Sequence, residues 1–462
     1  MTLLSRAREL ELATRPEHPD LTAALARRWA ELPAHVKTPA QMLGRRTSGC
    51  EGTHGVFPRC DLACTPCYHS RDANRVRTDG DHTVGEITAQ MRTLREHRGP
   101  GQNAQLIGGE VTLLSPDDHA AALKAMLDAG RKPMSMSHGD FDYEYLEALA
   151  LDPATGRPRF AHLSFAGHFD SMMFGRRGIK RVKQEAELHS HRAAFCAMFD
   201  RLEREHGVTS YLAHNMTVTP RNLRQVAEVV RATRSMGFRM CSFQPAAAVG
   251  NTNRWKDDYD QVTSDRVWAE IERGVGARIP YRALQIGDER CNRTGYGAWV
   301  GERWVPLLDD RLASDHAARD AFVETFGGMD FVAPRGVLAG RLARALGANP
   351  AALVTGARWA GRFVRRAGGA RAVRRAGGPQ ALTYVMHSFM DARQVRPAWE
   401  GLQRGELSDD PEIRATQERL LACSYAMAHP DSDTLVPACA QHSVLDPLEN
   451  LRLQELLPIA GT

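Results

Sequence analysis

The sequence predicts an α/β fold with parallel strands inside and helices outside, and three features predict it. Six short apolar runs between residues 50 and 250 alternate with stretches whose apolar residues recur at helical spacing, the pattern of repeated strand–helix units. The helical stretches open on cap residues and stop at glycines, so the alternation is punctuated. The chain, at 462 residues with 25% charged side chains, is long enough for two or three domains around a sizeable core.

Taken in order, residues 1–49 read as a helical cap. Leu3, Leu4, Ala7, Leu10 and Leu12 recur at helical spacing, and a second helix is expected from Asp20 to Leu32. Gly55-Val56-Phe57 reads as a first strand running into a cysteine-rich loop. Thr83 can cap a helix to about Arg98, with Ile87, Met91 and Leu94 on one face. Ala104 to Ile107 is a second strand, ending at Gly108-Gly109-Glu110. Ser115-Pro116-Asp117-Asp118 opens a helix with a cap, a proline in the first turn and acids that complement the helix dipole. Gly130 ends it. Pro133–Ser137, Phe160–Phe165, Ser210–Val218 and Arg239–Gln244 are the third to sixth strands, and Thr219-Pro220 opens a helix to Gly237. Beyond Gly250 the alternation is lost. Residues 251–462 read as an α+β extension, with a polar stretch around Cys291 and a hairpin from Tyr296 to Leu307.

The chemistry is concentrated in Cys60-Asp61-Leu62-Ala63-Cys64-Thr65-Pro66-Cys67. A short loop with this spacing can turn three sulfurs to one side. Three thiolates hold a four-iron cube and leave one iron open, as catalytic metal sites keep one position free. On spacing alone, a zinc loop or three structural thiols is the alternative. Cys50, Cys196 and Cys241 read as buried core thiols. An odd total of nine cysteines in so long a chain does not suggest a disulfide framework.

CxxxCxxC followed about forty residues on by a strand ending in Gly-Gly-Glu resembles the radical S-adenosylmethionine (radical SAM) family, over roughly residues 50–250. The resemblance implies a partial (β/α)6 TIM-like barrel. It implies a [4Fe–4S] cluster on Cys60, Cys64 and Cys67 whose open iron binds SAM, and a 5′-deoxyadenosyl radical that abstracts hydrogen from a substrate. It implies that Gly108, Gly109 and Glu110 receive the SAM amino group and that Tyr68 lies near the adenine. In barrels the working residues sit at the C-terminal ends of strands, which selects His138, Ser164, Asp170, Asn215 and Gln244. Ser164 and Asn215 are the expected contacts to SAM, and Arg176-Arg177 could pair with its carboxylate or another anion. An electron donor such as flavodoxin or ferredoxin is the implied partner.

Further on, His387-Ser388-Phe389-Met390-Asp391, Cys423 and Pro437-Ala438-Cys439 are loosely similar to the C-terminal region of the archaeal tetraether synthase group. That group joins lipid chain ends through carbon–carbon bonds and carries extra metal centres. The adjacent and extra cysteines expected of it are missing here. Cys291, Cys423 and Cys439 could still form one auxiliary centre, with Cys50, His387 or His442. Three buried thiols are the alternative.

Charge adds one more feature. The net charge is +5 and only six lysines occur, so the positive charge is almost all arginine. From Arg335 to Arg375 there are ten arginines and no acid, interleaved with Leu338, Leu342, Leu346, Leu353, Trp359, Phe363 and Val373. Segment 335–380 therefore reads as basic amphipathic helices suited to an anionic membrane surface. RNA phosphates or a solvated face are the rivals. No separate RNA-binding module is apparent, which argues against nucleic acid. No apolar run approaches the ~20 residues that span a bilayer, and no signal-peptide core opens the chain, so a reducing cytoplasm is expected, with peripheral membrane contact. The expected activity is hydrogen abstraction leading to carbon–carbon bond formation on a lipid or long apolar substrate. Modification of a ribosomally made peptide, RNA methylation or thiolation, and a non-catalytic iron–sulfur or zinc protein are the alternatives.

Overall fold

The computed structural model describes residues 3–67, 71–249 and 262–459. Helices α1 (Leu3–Ala13) and α2 (Pro19–Glu31) open the chain. Helix α2 starts where His18 accepts the N–H of Asp20, with a proline at its first position, and it buries Leu21, Ala24, Leu25 and Arg28. Then come β1 (Cys50–Gly52), β2 (Ala63–Cys64), α3 (Gly80–Arg98), β3 (Asn103–Leu106), α4 (Pro116–Asp128), β4 (Lys132–Ser137) and α5 (Tyr143–Ala150). The alternation continues through β5 (His162–His168), β6 (Met173–Phe174), α6 (His189–His206), β7 (Thr209–Val218), α7 (Val226–Thr233) and β8 (Met240–Pro245).

Five of the six expected strands lie where the pattern placed them. The first does not. Residues 55–57 form no strand; β1 is Cys50–Gly52, five residues earlier. Val56 and Phe57 are apolar because they are buried at the turn above it. The true strand carries Glu51, whose carboxylate is fully buried in a bidentate pair with Arg131 at 2.7 Å for both bonds. A charged residue inside a three-residue strand hides the strand from any apolar pattern. Helix α3 is likewise capped one turn earlier than expected. Asp79 accepts the His82 N–H at 2.9 Å, while Thr83 lies inside the helix with its hydroxyl on the Asp79 carbonyl. Ile87, Met91 and Leu94 do form its fully buried face.

The extension is divided: four of its strands join the main sheet and three form a small sheet of their own. After α8 (Ser264–Val275) come β9 (Asn292–Gly295) and the expected hairpin, β10 (Gly297–Val300) with β11 (Arg303–Pro306). Helices α9 (Ala313–Phe326), α10 (Arg335–Ala348), α11 (Ala351–Arg366) and α12 (Ala370–Arg375) follow. Strand β12 (Gln380–Ala381) joins the hairpin, and β13 (Thr383–His387) returns to the barrel. The chain ends with α13 (Ala392–Gln403), α14 (Pro411–Leu421), β14 (Tyr425–His429), β15 (Thr434–Pro437), α15 (Ala438–Ala440) and α16 (Asp446–Leu456).

The main sheet has ten strands in the order β15-β14-β1-β3-β4-β5-β7-β8-β13-β9. The eight from β14 to β13 are parallel; β15 and β9 run antiparallel at the two edges. This is a mixed α/β fold whose curled sheet is a partial TIM-like barrel, and residues 251–462 lengthen it at both ends. Side chains that point outward meet the helices. Phe165 of β5 packs at a tilt on Phe199 of α6, 5.1 Å between centroids, and Phe195 lies 5.2 Å from Phe199. Each buried side chain of this size contributes about 1.5–3 kcal/mol.

The two edges approach each other at a seam. Gly287, in the loop before β9, packs on the Ala422 carbonyl before β14, where a Cβ would stand 2.6 Å from the oxygen. The buried Gln41 amide holds the seam from the N-terminal cap, donating to the Gly287 carbonyl at 3.0 Å and accepting its N–H at 2.9 Å. Arg28 donates to the carbonyls of Leu421 and Cys423 at 3.0 and 2.7 Å.

Candidate active site

The chain leaves β1 through residues 53–59 and enters the cysteine loop above the C-terminal ends of the strands. Two backbone bonds lock that loop to the Gly-Gly-Glu turn: Gly109 N–H donates to the Phe57 carbonyl at 2.7 Å, and Glu110 N–H to the Arg59 carbonyl at 2.8 Å. The approach is so close that a Cβ on Gly109 would lie 1.9 Å from the Arg59 oxygen, and one on Gly108 would meet the Phe57 ring at 2.6 Å. The two glycines are there because nothing larger fits. On the other side, β2 pairs with β6, setting Cys64 opposite Met173, and Cys60 N–H donates to Asn74 at 3.0 Å.

Glu110 is 1% exposed, and its carboxylate is consumed within the protein. One oxygen accepts from Thr112 N–H, Thr112 Oγ1 and Ser137 Oγ at 3.1, 2.7 and 2.8 Å; the other accepts from His138 N–H at 2.8 Å. Glu110 thus braces the turn against the end of β4. His138 continues the brace, its Nε2 lying 2.8 Å from Asp61 in the cysteine loop.

Beneath the loop lies a cavity of about 350 Å³, in the range of small-molecule and cofactor sites. Cys60, Cys64, Cys67, Gly108, Gly109 and Glu110 all line it. The sequence-predicted His138, Asp170, Asn215 and Gln244 line it too. Ser164 does not. It sits four residues before the end of β5 with its hydroxyl 3.3 Å from His162, because β5 runs on to His168, beyond the expected stop at Phe165. His168 takes the place at the strand end. Its Nε2 lies 2.7 Å from Asp170 and 3.2 Å from the Thr217 hydroxyl. Burial opposes ionisation of Asp170, but His168 and the N–H groups of Met172 and Thr217 hold its carboxyl below the ordinary range. Continuing the period-2 alternation past Phe165 would have found His168. Tyr68, expected near an adenine, lies outside the described residues.

Arg176 is the second residue whose weight the sequence understated. It is buried, stacks on Phe169 at 4.9 Å, and donates through Nη2 to the carbonyls of His138 and His168 at 2.8 and 3.1 Å. Its Nη1 is buried with no partner. Burial lowers its pKa, with Asp140, Asp170 and Cys64 close enough to counter the shift. A buried guanidinium with an orphaned N–H beside the cysteine loop suits an anion. Arg177, by contrast, faces solvent and pairs with Asp140.

The walls below are apolar and rich in methionine: Met134, Met136, Met240, Ile286 and Met390. Cys50, Cys291, Cys423, Cys439, His387 and His442 line the same cavity. None of the nine cysteines, all among the described residues, forms a disulfide. Burial pushes the thiols of Cys50 and Cys60 up to about 12 and that of Cys291 up to about 11. Cys196 and Cys241 are buried away from the cavity, as expected of core thiols.

No family model matches the chain, and no curated protein is similar to it. Among solved structures, it is similar to SuiB of Streptococcus suis. The S-adenosylmethionine-bound form matches at 15% identity over 46% of this chain and 44% of that one, with a TM-score of 0.31. SuiB alone matches at 15% identity over 45% and 42%, with a TM-score of 0.30. SuiB bound to the precursor peptide SuiA matches at 14% identity over 42% and 38%, with a TM-score of 0.28. The chain thus spans less than half the length of these neighbours.

Proposed function

We propose that this chain is a radical SAM enzyme. One observation carries the reading: the three cysteines of the CxxxCxxC loop and the Gly-Gly-Glu turn, 41 residues apart from Cys67 to Gly108 in the sequence, line one cavity, and the turn is bonded through the backbone to Phe57 and Arg59, which lead into that loop. The residues fit the groups this reading requires. Three thiols on one short loop at one cavity suit a cluster with one open iron. The turn packs so closely on the loop that no side chain fits at Gly108 or Gly109, and both glycines line the cavity.

Cys60, Cys64 and Cys67 would hold a [4Fe–4S] cluster, and the backbone of Gly108 and Gly109, with Asn215, would hold SAM. When bound and reduced, these groups supply a 5′-deoxyadenosyl radical that takes hydrogen from an unactivated C–H bond. The chain's own part is positioning and shielding. Glu110 and His138 fix the turn, His168 and Asp170 hold a hydrogen-bonding edge at the strand ends, and the methionine wall keeps water from the reacting carbon. Reduction calls for an electron donor such as flavodoxin or ferredoxin.

The apolar wall supports a long apolar substrate, with carbon–carbon bond formation or modification on a lipid chain as the outcome. Helices α10 to α12 would then meet an anionic lipid surface; no helix among the described residues is long and apolar enough to cross a membrane. The test is anaerobic reconstitution, reduction and detection of 5′-deoxyadenosine by mass spectrometry, with and without liposomes of total lipid extract. Wild type should form it and Cys64→Ala should not. Deuterium passing from labelled acyl chains into deoxyadenosine is expected. A response to ribosomally made peptides instead of lipid would replace the lipid assignment. An intact cluster with no deoxyadenosine from any substrate would remove the radical SAM reading.

A further inference from the structure

Three side chains far apart in the sequence converge where the chain leaves β1. His54 lies two residues beyond that strand, His429 ends β14, and Glu449 sits in the first turn of α16. One ring nitrogen of each histidine and the Glu449 carboxylate lie within 4.8 Å of one another. His54 Nδ1 stands 2.9 Å from Glu449 Oε2, and His429 Nδ1 stands 3.8 Å from Oε1. The two rings stack at 4.0 Å between centroids, 17° from parallel. The three side chains are half-buried, sheltered by the fold but within reach of a small ion.

The far side of each ring fixes its tautomer. His54 Nε2 lies 2.6 Å from the Ala428 carbonyl, which can only accept, so that nitrogen carries the hydrogen. His429 Nε2 lies 2.6 Å from Gln441 Oε1. That amide is oriented by its nitrogen, which donates to Asp446 Oδ1 at 2.8 Å and to Glu449 Oε2 at 3.0 Å. Its oxygen therefore accepts, and His429 Nε2 is the donor. Both rings thus turn Nδ1, the nitrogen left with a lone pair, toward one carboxylate. A bare lone pair there is repelled by the carboxylate, and protons on both rings would stack two cations 4.0 Å apart. One cation held between the three groups satisfies them all.

A ring N–H resting on a carbonyl is the support that ligating histidines have. Ligand atoms on a tetrahedral ion with bonds of ~2.1 Å stand about 3.4 Å apart, and the 2.9 and 3.8 Å found here bracket that spacing. Two imidazoles with one carboxylate suit zinc and its transition-metal neighbours; calcium and magnesium take oxygen ligands. The backbone of His54 is held in place from α3, where the buried Gln90 amide accepts its N–H at 3.2 Å and donates to its carbonyl at 2.8 Å. A second grouping of this kind, Glu147, Glu205 and His206, differs in that Arg201 already bonds both Glu205 oxygens. Among the described residues no lysine or arginine pairs with Glu449; its ion partners are the two histidines.

We infer that His54, His429 and Glu449 bind one divalent transition-metal ion of the zinc class, with a fourth position left to water. None of the three lines the large cavity, and none belongs to the cysteine loop. Binding would displace the proton on His54 Nδ1 to solvent. The ion would clamp β14 and α16 onto the segment that enters the cysteine loop, since His54 precedes Cys60 by six residues. The inference does not rest on the function proposed for that loop.

The test uses the full chain, freed of metal by chelator, with zinc or cobalt(II) alone as the probe. Wild type should bind one more ion per chain than Glu449→Gln or His429→Gln, measured by metal analysis after gel filtration. Two ligand variants are used so that misfolding of one, read by circular dichroism, leaves the other to decide. The cobalt difference spectrum, wild type minus variant, should show visible d–d bands and no sulfur-to-metal charge-transfer band. Gln441→Ala, which keeps all three ligands, should weaken binding about 10–100-fold. His97→Ala removes an exposed histidine paired with Asp433 and should leave binding unchanged. Saturating zinc should raise the thermal midpoint of wild type more than that of either ligand variant. Equal metal content in wild type and the folded variants would overturn the inference, as would a sulfur charge-transfer band in the difference spectrum. So would a wild type that binds no ion, which would leave His54 and Glu449 an ordinary ion pair. Deoxyadenosine formation is not the readout, so neither result bears on the radical SAM reading.

Discussion

Gly109 shows how strongly one residue can be fixed by its neighbours. A Cβ there would stand 1.9 Å from a backbone oxygen, with the Pro58 oxygen 2.5 Å away. Neither atom is the end of a flexible chain, so Gly109→Ala must push the cysteine loop off the turn. Gly85, exposed in α3, has nothing within 4 Å of its Cβ position, so Gly85→Ala should gain about 0.5–1 kcal/mol from helix propensity. The same substitution is thus expected to have opposite signs, read from urea midpoints, with iron retention lost only in Gly109→Ala. Equal behaviour of the two would mean that the loop is not locked to the turn. Glu110 invites a subtler test. Glu110→Gln keeps the shape but turns one acceptor oxygen into a donor facing the N–H of His138 or the donors of Thr112 and Ser137. The expected cost is about 1–3 kcal/mol. An unshifted denaturation midpoint would show that the carboxylate is not the brace. At this scale the sequence displayed the cysteines and glycines but could not separate Arg176 from Arg177. Its neighbours Gly175 and Arg177 make the stretch look like a solvated loop, and only the fold reveals that one arginine of the pair turns inward.

Among the elements, the basic helix α11 is anchored by one buried acid. Asp315 of α9 is fully buried as a side chain and pairs with Arg362 at 3.0 Å and with Arg366, both on α11. Burial acts to raise its pKa, but the Asp309 N–H, Arg366 and Arg362 outweigh it and hold the carboxyl below its ordinary value. A depressed folded pKa means stability that is present above the unfolded value of about 3.9 and is lost as pH falls through the folded value. Asp315→Asn should therefore cost about 1–3 kcal/mol at pH 7, and its stability should converge on that of wild type as pH falls below about 4. Hydrogen exchange in α11 should report the same loosening locally. A constant gap between the two proteins from pH 7 to pH 3 would contradict the assignment. Elements also mark where sequence reading runs out. Strand β1 was missed because its central residue is a buried Glu51 paired with an Arg131 eighty positions away. No local pattern carries a partner at that distance. Strand β5 was found but stopped short, since Gly167 and His168 break the apolar run without ending the strand.

For the whole molecule, repeated strand–helix units specified a parallel sheet, and that much was legible between residues 50 and 250. That β13 and β14 extend the same sheet at opposite ends was not, because strand order is set by which edge a returning chain can reach and leaves no local signature. The Arg-rich segment shows what structure adds to composition. Of its ten arginines, Arg341, Arg344, Arg362 and Arg366 bond to backbone carbonyls or acids of the chain. Arg335, Arg358, Arg365, Arg371, Arg374 and Arg375 are exposed, and among the described residues no acid pairs with them. Leu353 and Val354 stand 57% and 54% exposed one turn before Arg358, giving apolar contact beside the charge. Each basic side chain near an anionic leaflet contributes about 1 kcal/mol, screened within a Debye length. The protein is therefore expected to sediment with phosphatidylserine-containing vesicles at low salt, to be released by about 0.5 M salt, and to ignore neutral vesicles. Arg371→Glu/Arg374→Glu/Arg375→Glu should abolish sedimentation while leaving deoxyadenosine formation with a soluble substrate unchanged, since α12 lies outside the cavity lining. Equal binding to neutral and anionic vesicles would make the contact apolar and not electrostatic. No binding at any salt would leave the six arginines as an ordinary solvated face, and a lipid substrate would then have to reach the cavity without docking through these helices.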